Sequence, residues 1–404
     1  MQPYLGALDW LGSQQDNMTQ TLIRWANINS GSENLTGLAT MTTELEHAFA
    51  PLGANVATLP TPTRQIVNAK GELEQQALGD MLSLRQRPDA PVRILLCGHM
   101  DTVFGADHEF QVCRHLDDQT INGPGVTDMK GGLLVMLYGL MALEQFTLKD
   151  NIGWEVLINA DEELGSPGSA KMLETVAKRN TVGFAFEPAT NADGTLAGQR
   201  KGSGKFTVVC RGRAAHAGRH FAKGRNAIVA LSQCITELAS LNGQRDGVTI
   251  NIGHIHGGGP INVVPDLAQC SIDVRLPSKD DEAWVQDNFN KVIATHQQHD
   301  GIEFALHGGF GRQAKHITGK TKRLYEQVVA TAGELGMALD WQATGGCCDG
   351  NNLAAAGLPN VDTLGVRGGN IHSSDEYIIL PSLVERAQLH ALLLMKFAAG
   401  ELSL

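Results

Sequence analysis

The sequence has no CxxC cysteine pair, and its seven cysteines are scattered along the chain and odd in number. This pattern favours free thiols in a reducing cytoplasm. The N-terminal segment has no basic start followed by an apolar run, the combination that marks a secretory signal. No uninterrupted apolar stretch is long enough to cross a bilayer. We therefore expect a cytoplasmic protein with no membrane partner.

Basic residues are in the minority, with 32 lysines and arginines against 43 aspartates and glutamates and a formal net charge of -11. Nucleic acids and anionic membranes select for basic surfaces, so neither is an expected partner. An anionic small substrate is not excluded, because a few arginines can reverse the field inside a pocket. The hydrophobic share of 42% and charged share of 19% predict a globular protein rather than a disordered one. At 404 residues, two domains are expected.

Three short apolar runs each lead directly into a polar cluster. They occupy residues 92–97, 154–160 and 182–186, and their length and β-branched content predict buried strands. Helical patterns at 133–146 and 169–178 lie between or after them. Strands that alternate with helices predict a mainly parallel sheet covered on both faces. Ligands of such sheets bind beyond the carboxyl ends of the strands, where the polar clusters fall.

The segment 202–312 has a different order of elements. Its patterns predict strand, helix, strand, strand, helix and strand, which is the βαββαβ arrangement of a ferredoxin-like module. The α/β pattern resumes afterwards. We therefore predict a catalytic domain made of residues 1–201 and 313–404, interrupted by an inserted domain at 202–312.

Acidic residues and histidines occur at five places. His99 with Asp101, Glu162 with Glu163, and Glu187 follow the three predicted strands, whereas Asp128 and His372 lie in glycine-containing segments. Each has an ordinary explanation when taken singly. A lone HxD is commonly a hydrogen-bonded surface pair, an Asp-Glu-Glu run often begins a helix, and a histidine after two glycines is usually a loop residue. Together, however, these carboxylates would repel one another, and bringing them to neighbouring strand ends would cost free energy unless cations compensated their charge.

The charges of this cluster favour two metal ions. Asp128, Glu163 and Glu187 carry about three negative charges, and two divalent cations carry about four positive charges. A bridging hydroxide then brings the inner shell close to neutrality. Histidine with carboxylate favours Zn²⁺, although Co²⁺ or Mn²⁺ could substitute. Asp101, two residues after His99, is placed to orient the imidazole from outside the inner shell.

Five separated motifs, in order, resemble those of the co-catalytic zinc peptidases of the M20 family. They are GHMDTV (98–103), GVTDMKGG (125–132), DEE (161–163), EP (187–188) and HS (372–373). The resemblance extends over essentially the whole chain. It implies an α/β catalytic domain of the zinc-exopeptidase type with a mainly parallel, mixed sheet flanked by helices, interrupted by a ferredoxin-like lid and dimerisation domain.

The resemblance also implies a role for each residue of the cluster. Asp128 bridges the two ions, His99 and Glu187 complete one shell, and Glu163 and His372 complete the other. Glu162 acts as the general base and acid, since a carboxylate that is not a ligand can take a proton from water and pass it to the leaving amine.

Three residues of the inserted segment also match family segments. The resemblance implies that His216 stabilises the oxyanion in the active site of a neighbouring subunit of a homodimer, and that Arg275 and Asn262 bind the substrate. A guanidinium fork suits a carboxylate, although Arg275 could equally form a salt bridge with Asp273 or Asp280. The adjacent Cys347 and Cys348 depart from the small residues usual in the matching loop, and packing is favoured over a redox role.

The function expected is that of a di-zinc amidohydrolase or carboxypeptidase. The favoured version releases a C-terminal amino acid, preferably glutamate, from a peptidyl or N-acyl substrate. The alternative is a small-molecule N-acyl amino acid deacylase of the acetylornithine deacetylase type. A non-catalytic, ligand-binding member is the third hypothesis, and Glu162 argues against it because binding alone does not require that carboxylate.

Overall fold

The computed structural model describes residues 1–404. Its α-helices are α1 (Leu5–Gly12), α2 (Gln15–Ala26), α3 (Leu35–Phe49), α4 (Lys130–Leu143), α5 (Ala170–Arg179), α6 (Ala227–Ala239), α7 (Asp280–His296), α8 (Gly319–Glu334), α9 (Asp349–Ala355) and α10 (Pro381–Ala398).

Its strands are β1 (Asn55–Leu59), β2 (Arg64–Val67), β3 (Leu73–Gln76), β4 (Met81–Gln86), β5 (Val92–His99), β6 (Arg114–His115), β7 (Thr120–Asn122), β8 (Ile152–Asn159), β9 (Val182–Ala185), β10 (Leu196–Arg200), β11 (Gly202–Arg211), β12 (Ala215–His216), β13 (Thr249–Gly257), β14 (Val263–Val264), β15 (Leu267–Leu276), β16 (Glu303–Arg312), β17 (Trp341–Thr344), β18 (Asn360–Val361), β19 (Gly368–Gly369) and β20 (Tyr377–Ile379).

The main sheet has six strands in the order β1-β4-β8-β5-β9-β18. The four strands β8, β5, β9 and β18 are parallel, whereas β1 and β4 are antiparallel to their neighbours. Every residue of β8 is buried, as expected for a central strand covered on both faces. This sheet confirms the predicted mainly parallel, mixed architecture.

Helices cover both faces of the main sheet. On one face, α4 and α10 pack closely against each other, and Gly139 permits this approach because a side chain there would collide with the His390 ring. On the other face, α5 and α9 cover a smaller core that includes Leu95, Leu157 and Leu173. The sheet is thereby held between two helical layers, with its carboxyl edge left accessible.

The inserted unit has a separate core and a four-stranded antiparallel sheet in the order β13-β15-β11-β16. Helices α6 and α7 pack on one face of this sheet, against side chains such as Phe206, Val208 and Ile272. The order β11-α6-β13-β15-α7-β16 confirms the predicted ferredoxin-like arrangement.

A smaller sheet, β19-β20-β7-β6, joins the chain around residue 120 to the chain around residue 370. Two segments that are far apart in sequence meet here, and the loop between β19 and β20 carries His372. None of the helices combines the length and the apolar character that a membrane crossing requires.

Candidate active site

The acidic cluster forms where parallel strands of the main sheet end. His99 is the last residue of β5, and β8 leads into the 3₁₀ turn Glu162–Leu164. Glu187 follows β9 by two residues. Because β5, β8 and β9 run in the same direction, their carboxyl ends bring these side chains to one edge of the sheet.

His99 and Asp128 form the buried centre of the cluster. The Nε2 atom of His99 lies 3.1 Å from Asp128 Oδ1 and 3.8 Å from Glu187 Oε2. Burial alone would lower the pKa of His99, but its contacts with Asp101, Asp128 and Glu187 raise that pKa well above the usual range. These short contacts concentrate ligand atoms around one position.

His372 approaches Asp128 from the opposite side. Its Nε2 atom lies 3.3 Å from Asp128 Oδ2 and 3.2 Å from Glu163 Oε2. The backbone of His372 is left-handed, with φ of 62°. The two oxygens of Asp128 therefore face two different histidines, the arrangement expected of a bridging carboxylate.

Asp101 is fully buried and connects His99 to the 3₁₀ turn Glu162–Leu164. Its carboxylate accepts the backbone N–H groups of Glu162 and Glu163, each at 3.2 Å, and the Ser32 hydroxyl at 2.7 Å. Its main-chain oxygen lies 2.9 Å from His99 Nδ1, so an Nδ1–H donor leaves Nε2 free to face the cluster. Asp101 orients the ring and the turn together.

The cluster fits divalent cations by its donor chemistry. Ligand atoms of His99, Asp128 and Glu163 lie within 4.8 Å of one another, and so do those of His99, Glu162 and Glu187. Burial, the larger cause, and the nearby charge of Asp128 raise the pKa of Glu163 to about 7. Burial likewise raises the pKa of Glu162 to about 8. Both shifts reflect the burial of carboxylates close to one another, and bound cations would compensate their negative charge.

A cleft of about 310 Å³ opens over this cluster, with the inserted unit forming its opposite wall. Arg275 lines the cleft and donates to both carboxylate oxygens of Asp273, at 2.7 and 3.1 Å. It also donates to Cys347 Sγ at 2.7 Å. The salt bridge considered from the sequence is therefore present, and the guanidinium still borders the cleft.

The two adjacent cysteines differ in their surroundings. Cys348 is buried, and its sulfur accepts the backbone N–H of Gly350 at 3.3 Å at the start of α9. Cys347 is half-buried and lines the cleft beside Arg275. All seven cysteines are free thiols.

His216 and Asn262 lie together on the inserted unit and do not line this cleft. His216 pairs with Val263 across β12 and β14, and the main-chain oxygen of Asn262 accepts the N–H of Ala217 at 2.9 Å. Both side chains are exposed. The structure brings these two residues to each other but not to Arg275 and the acidic cluster of their own chain.

Comparison with known proteins decides the family. Residues 95–396 match the family described as peptidase family M20/M25/M40. The chain belongs to this family. It is accordingly a hydrolytic enzyme of the metallopeptidase and amidohydrolase group.

Among its M20 relatives, carboxypeptidase G2 of Pseudomonas sp. (strain RS-16) is 27% identical over 393 residues, covering 96% of this chain and 91% of that protein. Acetylornithine deacetylase of Shigella sonnei is 30% identical over 261 residues, covering 59% of this chain and 62% of that protein. The YXEP protein of Bacillus subtilis, a dinuclear metal binding peptidase from the M20 family, aligns with a TM-score of 0.63 at 15% identity. That alignment covers 95% of this chain and 98% of the other.

Glu376 is a site residue of this M20 chain that sequence reasoning missed. Its carboxylate accepts the backbone N–H groups of Gly125, Thr127 and Asp128, at 3.1, 2.9 and 3.0 Å. It thereby holds the loop that presents the Asp128 carboxylate. Its position four residues after His372 was the only sequence signal. Nothing in the sequence indicated that Glu376 contacts the GVTDMKGG motif (125–132).

Arg312, the last residue of β16, was also missed. Its Nη2 atom lies 2.8 Å from Glu162 Oε1 and donates to Ser166 Oγ at 2.7 Å. The same nitrogen lies 3.3 Å from Asp349 Oδ1. The side chain is buried, so the end of the inserted unit contacts the 3₁₀ turn of the M20 active site directly. Its position where the insert rejoins the catalytic domain was the only sequence signal.

Proposed function

We propose that this M20 enzyme is a di-zinc carboxypeptidase that releases a C-terminal amino acid, preferably glutamate, from a peptidyl or N-acyl substrate. The observation that carries the proposal is the position of Arg275 on the wall opposite the acidic cluster, in the same cleft. A guanidinium suits the free carboxylate of the leaving amino acid, while the cluster suits the adjacent amide. The 27% identity to carboxypeptidase G2 over most of both chains supports this version.

Five residues of the cluster would hold the cations. Asp128 would lie between them, with His99 and Glu187 on one side and Glu163 and His372 on the other. Histidine with carboxylate favours zinc, and Co²⁺ or Mn²⁺ would also be accepted. When bound, the cations polarise the substrate carbonyl and lower the pKa of water. The dinuclear character of the M20 relative from Bacillus subtilis supports a pair of ions.

Glu162 moves the proton in the proposed reaction. It takes a proton from water as the water oxygen forms a bond to the amide carbon. It then donates that proton to the amide nitrogen as the C–N bond breaks, leaving a carboxylic acid and a free amino acid. Asp101 holds the backbone of Glu162, and Arg312 contacts its carboxylate, so both limit where this base can point.

The location of His216 and Asn262 supports a homodimer joined through the inserted unit. Their exposed two-stranded sheet, β12-β14, is away from the cleft of their own chain, and β13 is an edge strand of the inserted four-stranded sheet. Ile255 on β13 and Ile261 beside β14 are exposed apolar residues. Pairing two copies along β13 would satisfy its backbone groups and cover these side chains. His216 of one copy would then donate to the oxyanion in the site of the other.

The seven free cysteines support a reducing compartment, and the cytoplasm is the proposed location. The substrate is proposed to be a small peptide or N-acyl amino acid.

Side-by-side assays on glutamyl dipeptides, folyl-glutamate and N-acetyl amino acids test the activity. The proposal expects the highest kcat/KM for substrates that end in glutamate. Faster cleavage of N-acetylornithine would favour the deacylase alternative, which the acetylornithine deacetylase relative supports. No turnover of any of these substrates by the metal-loaded protein would contradict both versions. The Glu162→Gln variant, purified in parallel, reports any contaminating peptidase.

A further inference from the structure

The inserted sheet has one face without helices, and four polar side chains occupy part of it. Ser203 and Lys205 lie two residues apart on β11, and Asp273 and Arg275 lie two residues apart on β15. In the antiparallel register Lys205 is opposite Asp273, and Ser203 is opposite Arg275. Since alternate residues of a strand point to the same face, all four belong to the face opposite α6 and α7. Ser203, Lys205 and Arg275 line the active-site cleft.

Lys205 forms no salt bridge with a carboxylate. It differs in this from Arg275 and Arg312, the other two cations that the inserted unit contributes to the cleft. Arg275 is paired with Asp273, and Arg312 is paired with Glu162. Lys205 Nζ instead donates to the main-chain oxygen of Leu164 at 2.9 Å. Desolvation and, second, the nearby Arg312 guanidinium lower the pKa of Lys205, although the charges of Glu162 and Asp273 raise it. Both of those carboxylates are engaged by arginines, so an anionic group of the substrate would give Lys205 a carboxylate partner of its own.

We propose that Lys205 binds the side-chain carboxylate of the released amino acid and thereby selects glutamate over neutral residues. This inference rests on the proposed function, because it takes Arg275 as the partner of the α-carboxylate. Lys205 and Arg275 are diagonal neighbours on one sheet face, roughly 7–8 Å apart at their backbones. The two carboxylates of glutamate are separated by its α-carbon and two methylene groups, which suits a pair of long side chains converging from such positions.

Lys205 could have a purely mechanical role, because its bond to Leu164 links the inserted unit to the turn that carries Glu162. A mechanical link would affect every substrate equally. A carboxylate-binding role affects only substrates with a negative side chain. Glutamate and glutamine have nearly the same shape and differ in charge, so a pair of substrates with the same acyl group and either residue separates the two roles.

The experiment measures kcat/KM for this pair with the metal-loaded wild type and three variants. Lys205→Met should lower kcat/KM on the glutamate substrate by about tenfold or more, as loss of a charge-assisted hydrogen bond predicts, and leave the glutamine substrate within about twofold. Lys205→Arg should keep most of the preference for glutamate. Lys201→Met is the matched control, because Lys201 Nζ donates to the main-chain oxygen of Gly247 and the residue does not line the cleft.

The outcomes separate the two proposals. If wild type shows no preference for glutamate over glutamine, the glutamate carboxypeptidase function is wrong, and the role of Lys205 is rejected with it. If wild type prefers glutamate and Lys205→Met keeps that preference, only the role of Lys205 is rejected. Equal losses on both substrates would identify Lys205 as a mechanical link and would also overturn the inference.

Discussion

Arg312 and Glu162 form a buried ion pair in which Nη2 lies 2.8 Å from Oε1. Arg312 ends the last strand of the inserted unit, and Glu162 begins the 3₁₀ turn at the end of β8. The same guanidinium contacts Asp349 at the start of α9. One side chain thus joins the inserted unit, the proposed general base and the second half of the catalytic domain.

Replacing Arg312 should destabilise the fold strongly. Arg312→Ala leaves the buried carboxylates of Glu162 and Asp349 without their cation, which is expected to lower the free energy of unfolding by about 3–5 kcal/mol. Urea denaturation of the metal-free protein measures this. The exposed pair of Arg24 and Glu44, at 3.0 Å, provides the control, and Arg24→Ala should cost less than about 1 kcal/mol. Similar losses for both variants would show that the Arg312 pair contributes no more than a surface pair.

Glu162→Gln should separate catalysis from metal binding. Glutamine keeps the shape of the side chain but cannot accept and return a proton, so kcat should fall by at least ~100-fold. Metal content, measured by atomic emission on the same preparation, should remain near the wild-type value. Near-normal turnover in this variant would mean that another group acts as the base.

Two metal ions should bind about 3.5–4 Å apart with Asp128 between them. Because each oxygen of Asp128 faces a different histidine, Asp128→Ala should lose both ions, whereas His372→Ala should lose only one. Metal titration of the apoprotein followed by a structure of the loaded enzyme checks both statements. A fully loaded structure with a single ion, or with Asp128 away from both, would contradict the assignment.

Mixing two inactive variants tests whether His216 acts across a dimer. Glu162→Gln subunits and His216→Ala subunits are each expected to be inactive alone. In a mixed dimer, one site receives an intact Glu162 from its own chain and an intact His216 from the partner, so activity should recover once subunits have exchanged. Exchange is followed independently, for example by differently tagged subunits. Continued inactivity despite proven exchange would mean that His216 does not act across the dimer, and an active His216→Ala variant would place His216 outside the reaction.

Stability should fall in mild acid partly because of His390. Burial lowers the pKa of His390 to about 3, below its unfolded value of about 6.5. The unfolded chain therefore takes up the proton first. The stability linked to neutral His390 is complete above about pH 6.5 and is lost as the pH falls toward 3, by up to about 1.4 kcal/mol per pH unit.

Urea denaturation of wild type and His390→Gln between pH 7.5 and 4.5 measures this contribution. The wild type should lose more free energy of unfolding over this range than the variant. His47→Gln, at an exposed position on α3, is the control and should follow the wild type. Parallel curves for wild type and His390→Gln would show that His390 does not contribute to the acid sensitivity.

The sequence by itself determined the fold class and the residues of the cluster. Apolar runs such as 154–160 are long enough to predict strands, and Asp161–Glu163 follows that run directly. Parallel strands that end at one edge of a sheet bring the polar residues that follow them close together. His99, Glu162 and Glu187 could therefore be grouped from the sequence alone. The βαββαβ order of the inserted unit was likewise readable from periodicity alone.

Only the tertiary structure decided which other groups meet this cluster. Glu376 supports the Asp128 loop through three backbone N–H groups, and Arg312 reaches Glu162 across 150 residues of sequence. Lys205 and Arg275 share one face because of the register between β11 and β15, and no local pattern specifies that register. His216 and Asn262 lie away from their own cleft because of how the inserted unit docks. These relationships depend on packing between segments that are distant in sequence, and such packing cannot be predicted from the spacing of residues along the chain.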